Sequence, residues 1–379
     1  MPAPIAPRSF RCRCARPVFF ANSQCLACGT PLGYDAERRQ LMPLVAVQGR
    51  SGEADAVTGG LWRRVGARAA PARYRRCSNL DSGAACNWLI EQGDADAGAP
   101  PLCRCCRLTR TLPDLAQPDA ALWWQRIEQA KRRLVSTLIA LRVPVRSRVA
   151  EDREQGLVFD LLRDPPGGPP VVTGHADGVI TLNVQEADDV WREQRRTELA
   201  EPYRTLLGHL RHETGHYYWQ RLVAGTRWHE PWRHLFGDER RDYAAALQAH
   251  YRDGAPADWG ERHVSAYASS HPWEDWAETW AHYLHLQDTL DTARSFGLDG
   301  EHVQLHYDRF GPAALGDIDV DAQSLAFLRR INGWMELTGV LNELSRCMGV
   351  ADFYPYVLSA AAVRKLHLVD RIVTAAAPD

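Results

Sequence analysis

The sequence predicts an α+β protein in two parts: a small cysteine-rich module held by metal, followed by a mostly helical domain with a small sheet. Three observations predict it. Nine of the ten cysteines fall within residues 12–106, and only Cys347 lies beyond them. Downstream, apolar residues recur at helical spacing over several long stretches. Between those stretches Gly178–Val184 is rich in β-branched residues and reads as a strand. A chain of 379 residues with 45% hydrophobic content and 13 Trp can bury the cores of two or three domains.

The N-terminal cysteines come in two clusters. The first is Cys12-x-Cys14 with Cys25-x-x-Cys28. The second is Cys77, Cys86, Cys103 and Cys106, with Cys105 in surplus. Two close thiolates met by a second pair suit a tetrahedral four-thiolate zinc site, which is closed and therefore structural. Gly29, directly after Cys28, lets the backbone turn back under the metal. Residues 46–76 are rich in Gly, Ala and Arg and promise little core, so metal would supply much of the folding free energy. One or two structural zincs are expected, and the domain is expected to span residues 1–112. That segment holds 16 Arg and no Lys against 8 acidic residues, a formal +8, which leaves −10 for the remainder of a chain of net −2. Two four-thiolate zinc sites would reduce the front to about +4. A modest basic face remains, suited to a nucleic-acid or protein partner.

Residues 113–122, with Pro113 and Pro118, read as a linker to a domain over 123–379. Trp124, Ile127, Lys131, Leu134, Leu138 and Leu141 form a helical stripe. Asp164–Pro170 is a Pro/Gly loop, and His175 and Asp177 read as loop polar residues. The strand at 178–184 is expected to offer an edge to an extended substrate.

Residues 203–223 carry Leu206, Leu207, Leu210, Tyr217 and Leu222 at helical spacing, with Pro202 suited to the first turn. His212-Glu213-Thr214-Gly215-His216 lies mid-helix. Residues four apart stack on one helix face, so His212 and His216 make half of a zinc site. Glu213 is placed to act as a general base on water, the H-E-x-x-H arrangement of zinc peptidases. Gly208 and Gly215 lower helix propensity and suggest close packing against a neighbour.

A catalytic zinc takes a third protein ligand. Trp219 and Leu222 stand where a metzincin would have Gly and His. His229 and His234 in a Trp/Pro-rich loop, Asp238 and Asp242 remain open, although Asp238-Glu239 also suits a cap for a helix running to Tyr251. Glu274 is the best candidate. In His271-Pro-Trp-Glu-Asp-Trp-Ala-Glu-Thr-Trp-Ala-His282, Glu274, Glu278 and His282 recur every four residues on a helix opened by Pro272. Trp273, Trp276, Trp280 and Tyr283 make that helix too apolar to lie exposed. Glu278 can accept from the free ring nitrogen of a ligand histidine. Tyr267, with His271 and His282 as weaker candidates, can donate to an oxyanion. Residues 320–373 carry apolar helical stripes around Asp352–Tyr356 and read as packing. Cys347 reads as a buried small residue.

The helix Glu274-x-x-Ala277-Glu278-x-Trp280 with Tyr267 upstream resembles the gluzincin arrangement of anthrax lethal factor-like peptidases. That resemblance implies a transition-state role for the Tyr seven residues before the ligand Glu, and an orienting role for the Glu four residues after it. A longer match is similar to the bacterial family of zinc-binding metallopeptidases with an N-terminal zinc ribbon. It is carried by Phe19–Asn22 with Cys25–Gly29, Cys86–Trp88, Ala130–Leu134, Thr173–His175, Glu186–Asp188, Pro202–His209, Arg211–Trp219, Phe236–Asp238, and Ser265–Ala268 through His285. Cys12-x-Cys14 departs from the family's C-x-x-C. The resemblance implies a zincin-like domain behind a zinc ribbon, and names no substrate.

No apolar run approaches the roughly 20 residues of a membrane span, and Met1–Phe10 lacks the apolar core of an export signal. A cytoplasmic location with no membrane partner is expected. The sequence therefore predicts a zinc metallopeptidase with His212, His216 and Glu274 on one catalytic zinc, Glu213 as base, Tyr267 on the oxyanion, and a protein or peptide as substrate. The alternative is a ribbon that binds nucleic acid or protein, attached to a dormant peptidase domain.

Overall fold

The computed structural model describes residues 4–47, 60–66, 72–93, 101–198, 205–298, 303 and 305–377. The chain packs as two compact units. One comprises Ile5–Ala140 with Pro144–Arg192. The other comprises Glu193–Asp379 with Met1–Pro4 and Leu141–Val143.

The first unit begins with an antiparallel pair, β1 (Ser9–Arg11) and β2 (Pro17–Phe19). A sheet of order β3-β4-β5-β6-β7 follows: Leu32–Asp35, Gln40–Ala46, Trp62–Arg64, Tyr74–Arg76 and Leu89–Glu91. Consecutive strands pair antiparallel. Asp35 sets the β3–β4 turn by accepting from the Arg38 amide at 2.9 Å. Gly33 is required by close approach, because a Cβ there would meet Leu89 Cδ2 at 2.5 Å and Leu44 Cδ1 at 2.9 Å. The core is Met42, Leu44, Tyr74 and Leu89, with Trp62 and Ala72 against it. The described residues within 46–76 thus contribute more core than the composition suggested, because two short strands each bring one aromatic ring.

The same unit holds β8 (Thr109–Thr111), the helix α1 (Ala120–Ala140), and β9 (Val158–Leu162), β10 (Gly174–Ala176) and β11 (Val179–Asn183). Trp124, Ile127, Lys131, Leu134 and Leu138 are buried along α1, as the stripe predicted. The sheet order is β10-β11-β9-β8, with β11 and β8 both parallel to β9. The predicted strand therefore forms, but it is paired on both sides by β10 and β9. It offers no open edge to a substrate. This sheet belongs to the same compact unit as the cysteine-rich segment.

The division between units falls within α2 (Asp189–Glu198). The second unit is helical: α3 (Leu206–Leu222), α4 (His229–Phe236), α5 (Tyr243–Asp253), the short α6 (Trp259–Arg262), α7 (Pro272–Ser295), α8 (Ala322–Cys347) and α9 (Ala360–Ala376). Thr205 caps α3, its hydroxyl accepting from the Gly208 amide at 2.9 Å. The helix thus starts after Pro202, which lies outside the described residues. The Trp/Pro-rich segment at 229–236 is helical rather than a loop.

Helices α3 and α7 pack closely. A Cβ at Gly215 would meet Ala277 Cα at 2.8 Å and its carbonyl oxygen at 3.2 Å, so the glycine permits the contact, as its place mid-helix suggested. Trp276 Nε1 donates to Gly215 O at 2.8 Å, and Tyr218 stacks on Trp280 with centroids 4.8 Å apart. Arg211 donates to Asp288 at 2.8 Å. Phe327, Ile331 and Trp334 of α8 and Val363, Leu366, Val369 and Ile372 of α9 are buried, which bears out packing for the C-terminal stripes. Cys347, expected to be buried, is exposed at the last position of α8. No helix among the described residues is long and apolar enough to cross a membrane.

Candidate functional site

Cys12, Cys14, Cys25 and Cys28 form one group and Cys77, Cys86, Cys103 and Cys106 another, with the sulfurs of each within 4.8 Å of one another. The Cys12–Cys28 and Cys86–Cys103 sulfurs are 3.6 Å apart and the Cys14–Cys25 sulfurs 3.8 Å apart. A disulfide needs about 2.05 Å. A tetrahedron with metal–sulfur bonds of about 2.3 Å has edges near 3.8 Å, so both groups fit zinc. Cys12 and Cys14 both belong to the first group despite their short spacing. A tight turn with Ala15 at φ 66° and its amide on Cys12 O brings them round. The Thr30 hydroxyl, 3.1 Å from Cys28 Sγ, and the Thr30 backbone lower the Cys28 thiol to about 6. Cys105 is buried and lies outside both groups.

The third group joins α3 to α7. One donor atom each from His212, His216 and Glu274 lies within 4.8 Å of the others, and all three residues are buried. His212 Nε2 is 3.0 Å from Glu274 Oε2, and His216 Nε2 is 3.5 Å from Glu274 Oε1. Glu274, at the third position of α7, closes no capping box. Its helix is capped instead by His271, whose Nδ1 accepts from the Trp273 amide at 3.1 Å and whose Nε2 donates to Arg241 O at 3.2 Å. That geometry removes His271 as an oxyanion donor.

Glu278 reaches the other nitrogen of His212, with Oε1 2.7 Å from Nδ1, and accepts from Ser265 Oγ at 2.6 Å through Oε2. A carboxylate on Nδ1 fixes a proton there, so that Nε2 would be free to ligate once a metal displaces its own proton. Glu213 is also buried. Its Oε1 is 3.3 Å from His209 Nε2, and its Oε2 has no hydrogen-bond partner among the described residues. Tyr267 sits in a short turn, its ring 6.0 Å from that of His212 and 5.8 Å from that of His250.

The electrostatics follow from three buried carboxylates around two imidazoles. Burial opposes charge on His212, yet Glu274 and Glu278 outweigh it and hold its pKa well above the usual histidine range. Burial likewise opposes charge on Glu274, but His216 and His212 hold it well below the carboxylate range. Glu213 is lowered by His209 and the two downstream histidines against the same penalty. Such a donor set, buried and acidic, fits a divalent cation in place of protons.

The other sequence candidates are engaged elsewhere. His229 Nε2 lies 3.1 Å from Glu239, Asp238 holds Arg240 at 2.8 Å, and Asp242 caps α5 by accepting from the Ala245 amide at 3.0 Å. The α5 cap is thus Asp242 and not Asp238-Glu239, and His234 is exposed on α4. His282 Nδ1 meets the Tyr354 hydroxyl at 2.6 Å and its ring packs on Tyr356, so it serves the interior and not an oxyanion. His175 Nε2 accepts from the Gly178 amide, a turn role as expected.

Two neighbours escaped the sequence reading. Tyr243, at the start of α5, donates its hydroxyl to Glu274 Oε1 at 2.7 Å. Trp273 packs its ring 4.2 Å from that of His216. Tyr243 lies next to Asp242, one of the open ligand candidates, but nothing in local spacing links it to a residue 31 positions away.

Comparison with known proteins agrees with these groups. Residues 120–372 match the family described as "Putative zinc-binding metallo-peptidase", and residues 9–117 match a zinc-ribbon domain. Uncharacterized proteins of Mycobacterium tuberculosis and Mycobacterium bovis are each 39% identical over 374 residues, covering 98% of this chain and 97% of theirs. No solved structure matches the chain. Both names and all three donor groups support zinc binding, and the chain belongs to the family of zinc-binding metallopeptidases so described, with a zinc-ribbon domain at its N-terminal end.

Proposed function

We propose that the protein is a zinc-dependent peptidase with a gluzincin-type site in a zincin-like domain over residues 123–379, behind a zinc-ribbon domain over residues 1–112. The observation that carries this reading is the convergence of His212 and His216 from α3 with Glu274 from α7, with Glu278 behind His212. Bound zinc supplies Lewis acidity and lowers the pKa of a water to about 7. Glu213, whose Oε2 has no hydrogen-bond partner among the described residues, would accept the proton of the attacking water there and return it to the leaving amine. Tyr267, beside His212, donates to the oxyanion that develops on the carbonyl. The two cysteine groups hold one structural zinc each. Ten cysteines outside any disulfide suit a reducing compartment, and we place the protein in the cytoplasm.

Glu213→Gln keeps the shape and loses the base. Its expected behaviour is zinc content equal to wild type with cleavage of a denatured protein or peptide library abolished. Undiminished cleavage overturns the mechanism.

A second reading draws on the ribbon. A cavity of about 620 Å³ is lined by Arg11, Arg13 and Arg64 with Ser9, Phe10 and Gln40, and no carboxylate is among the described residues that line it. The carboxylates of Asp35 and Glu91 are engaged by Arg38, and Glu37 by Arg104. This favours an anionic partner for the ribbon, as nucleic acid or protein. Binding that weakens steeply with salt, with two zincs and no cleavage, identifies a binding module. Three zincs with cleavage identify the enzyme.

A further inference from the structure

We infer that Tyr243 is a positioning residue for the metal-binding carboxylate and couples helix α5 to the metal. This rests on the peptidase-site reading above. The argument starts from what Glu274 needs. It is 1% exposed, so water cannot satisfy it. An ionised carboxylate offers about four lone-pair sites. Its Oε2 faces His212 and its Oε1 faces His216, and the Tyr243 hydroxyl donates to Oε1 at 2.7 Å. A buried carboxylate with a fixed donor on one oxygen has its plane set before a cation arrives. Ligands held in this way bind metal more tightly than ligands that must be ordered on binding.

The His212 side of the group is oriented from α7, by Glu278. The Glu274 side is oriented from α5, an element that fully buries none of its own residues. Tyr243 itself is 38% exposed, and its ring packs edge-on against His271 at 5.2 Å and Trp273 at 5.8 Å. From the other end of α5, the His250 ring packs on Tyr267 at 5.8 Å. A mostly solvated helix therefore touches the site at both ends, and one of those contacts is a hydrogen bond to a proposed ligand. Loss of that bond should loosen both the carboxylate and the helix.

The test is Tyr243→Phe in the full chain, with Tyr251→Phe as control; Tyr251 is on the same helix and 57% exposed. Zinc at the third site is titrated against a competing chelator, and cobalt is substituted there to read ligand geometry by its visible spectrum. Expected for Tyr243→Phe are zinc affinity about 10–100-fold weaker, a shifted cobalt spectrum, and faster amide exchange across residues 243–253. Circular dichroism should match wild type, and Tyr251→Phe should bind zinc as wild type does. Wild-type affinity and cobalt spectrum in Tyr243→Phe overturn this inference alone. A wild-type chain that takes no metal beyond its two cysteine groups overturns the site reading, and this inference with it.

Discussion

Substituting Gly215 by alanine tests whether the spacing of α3 and α7 sets the metal group. A methyl there would lie 2.8 Å from Ala277 Cα, in backbone that cannot rotate away. Carbon atoms rest about 3.5–4.0 Å apart, so the helices must part locally by about 0.7–1.2 Å. The overpacking costs about 1–3 kcal/mol. Replacing a mid-helix glycine by alanine returns about 1 kcal/mol. The net loss is about 0–2 kcal/mol, a fall of at most about 8 °C in Tm at about 2–4 °C per kcal/mol for a unit of this size. The metal group should suffer more. His212 and His216 ride on α3 and Glu274 on α7, and metal–ligand distances tolerate about 0.2 Å. Zinc affinity at the third site is expected to fall at least about tenfold. Calorimetry and a chelator titration read the two effects separately. Gly333→Ala on α8 is the control, because a Cβ there meets nothing within 4 Å and only the propensity gain remains. If Gly215→Ala raises Tm as Gly333→Ala does and keeps its zinc affinity, the reasoning fails.

Two further predictions concern buried charge. Lys131 and Glu128 are 0% and 1% exposed and 2.6 Å apart, so Lys131→Met should cost about 3–5 kcal/mol in urea unfolding by stranding the carboxylate. Adding Glu128→Gln should recover most of it, and equal stability of the single and double variants would show that the pair is not coupled. His282 is held by burial down to about 4. The unfolded chain takes up that proton near pH 6.5, so the contribution is complete above pH 6.5 and is lost as pH falls towards 4, by about 3 kcal/mol at most. Unfolding free energies at pH 7 and pH 5 should differ less in His282→Gln than in wild type; an unchanged difference would refute the assignment.

Much of the site was legible because its parts repeat locally. A helix places residues four apart on one face whatever surrounds it, so His212 with His216, and Glu274 with Glu278, could be paired from spacing. The cysteine pairs were legible for the same reason, and even the irregular Cys12-x-Cys14 joined its group through a turn of four residues. The C-terminal stripes announced buried helix faces, though not that Cys347 at the end of one would point to solvent.

What local spacing cannot encode is which faces meet. Amino-acid order alone determined the histidine pair with Glu213 beside it, the two cysteine groups and the helical character of the second unit. Each depends on periodicity or on thiolate chemistry within a short stretch. Tertiary packing decided that β11 has a neighbour on both sides, that the small sheet belongs to the same compact unit as the cysteine-rich segment, and that Gly215 rests on Ala277. It also chose Tyr243 of α5 to hold Glu274, a contact that depends on two helices being packed together and leaves no mark in the spacing of either one.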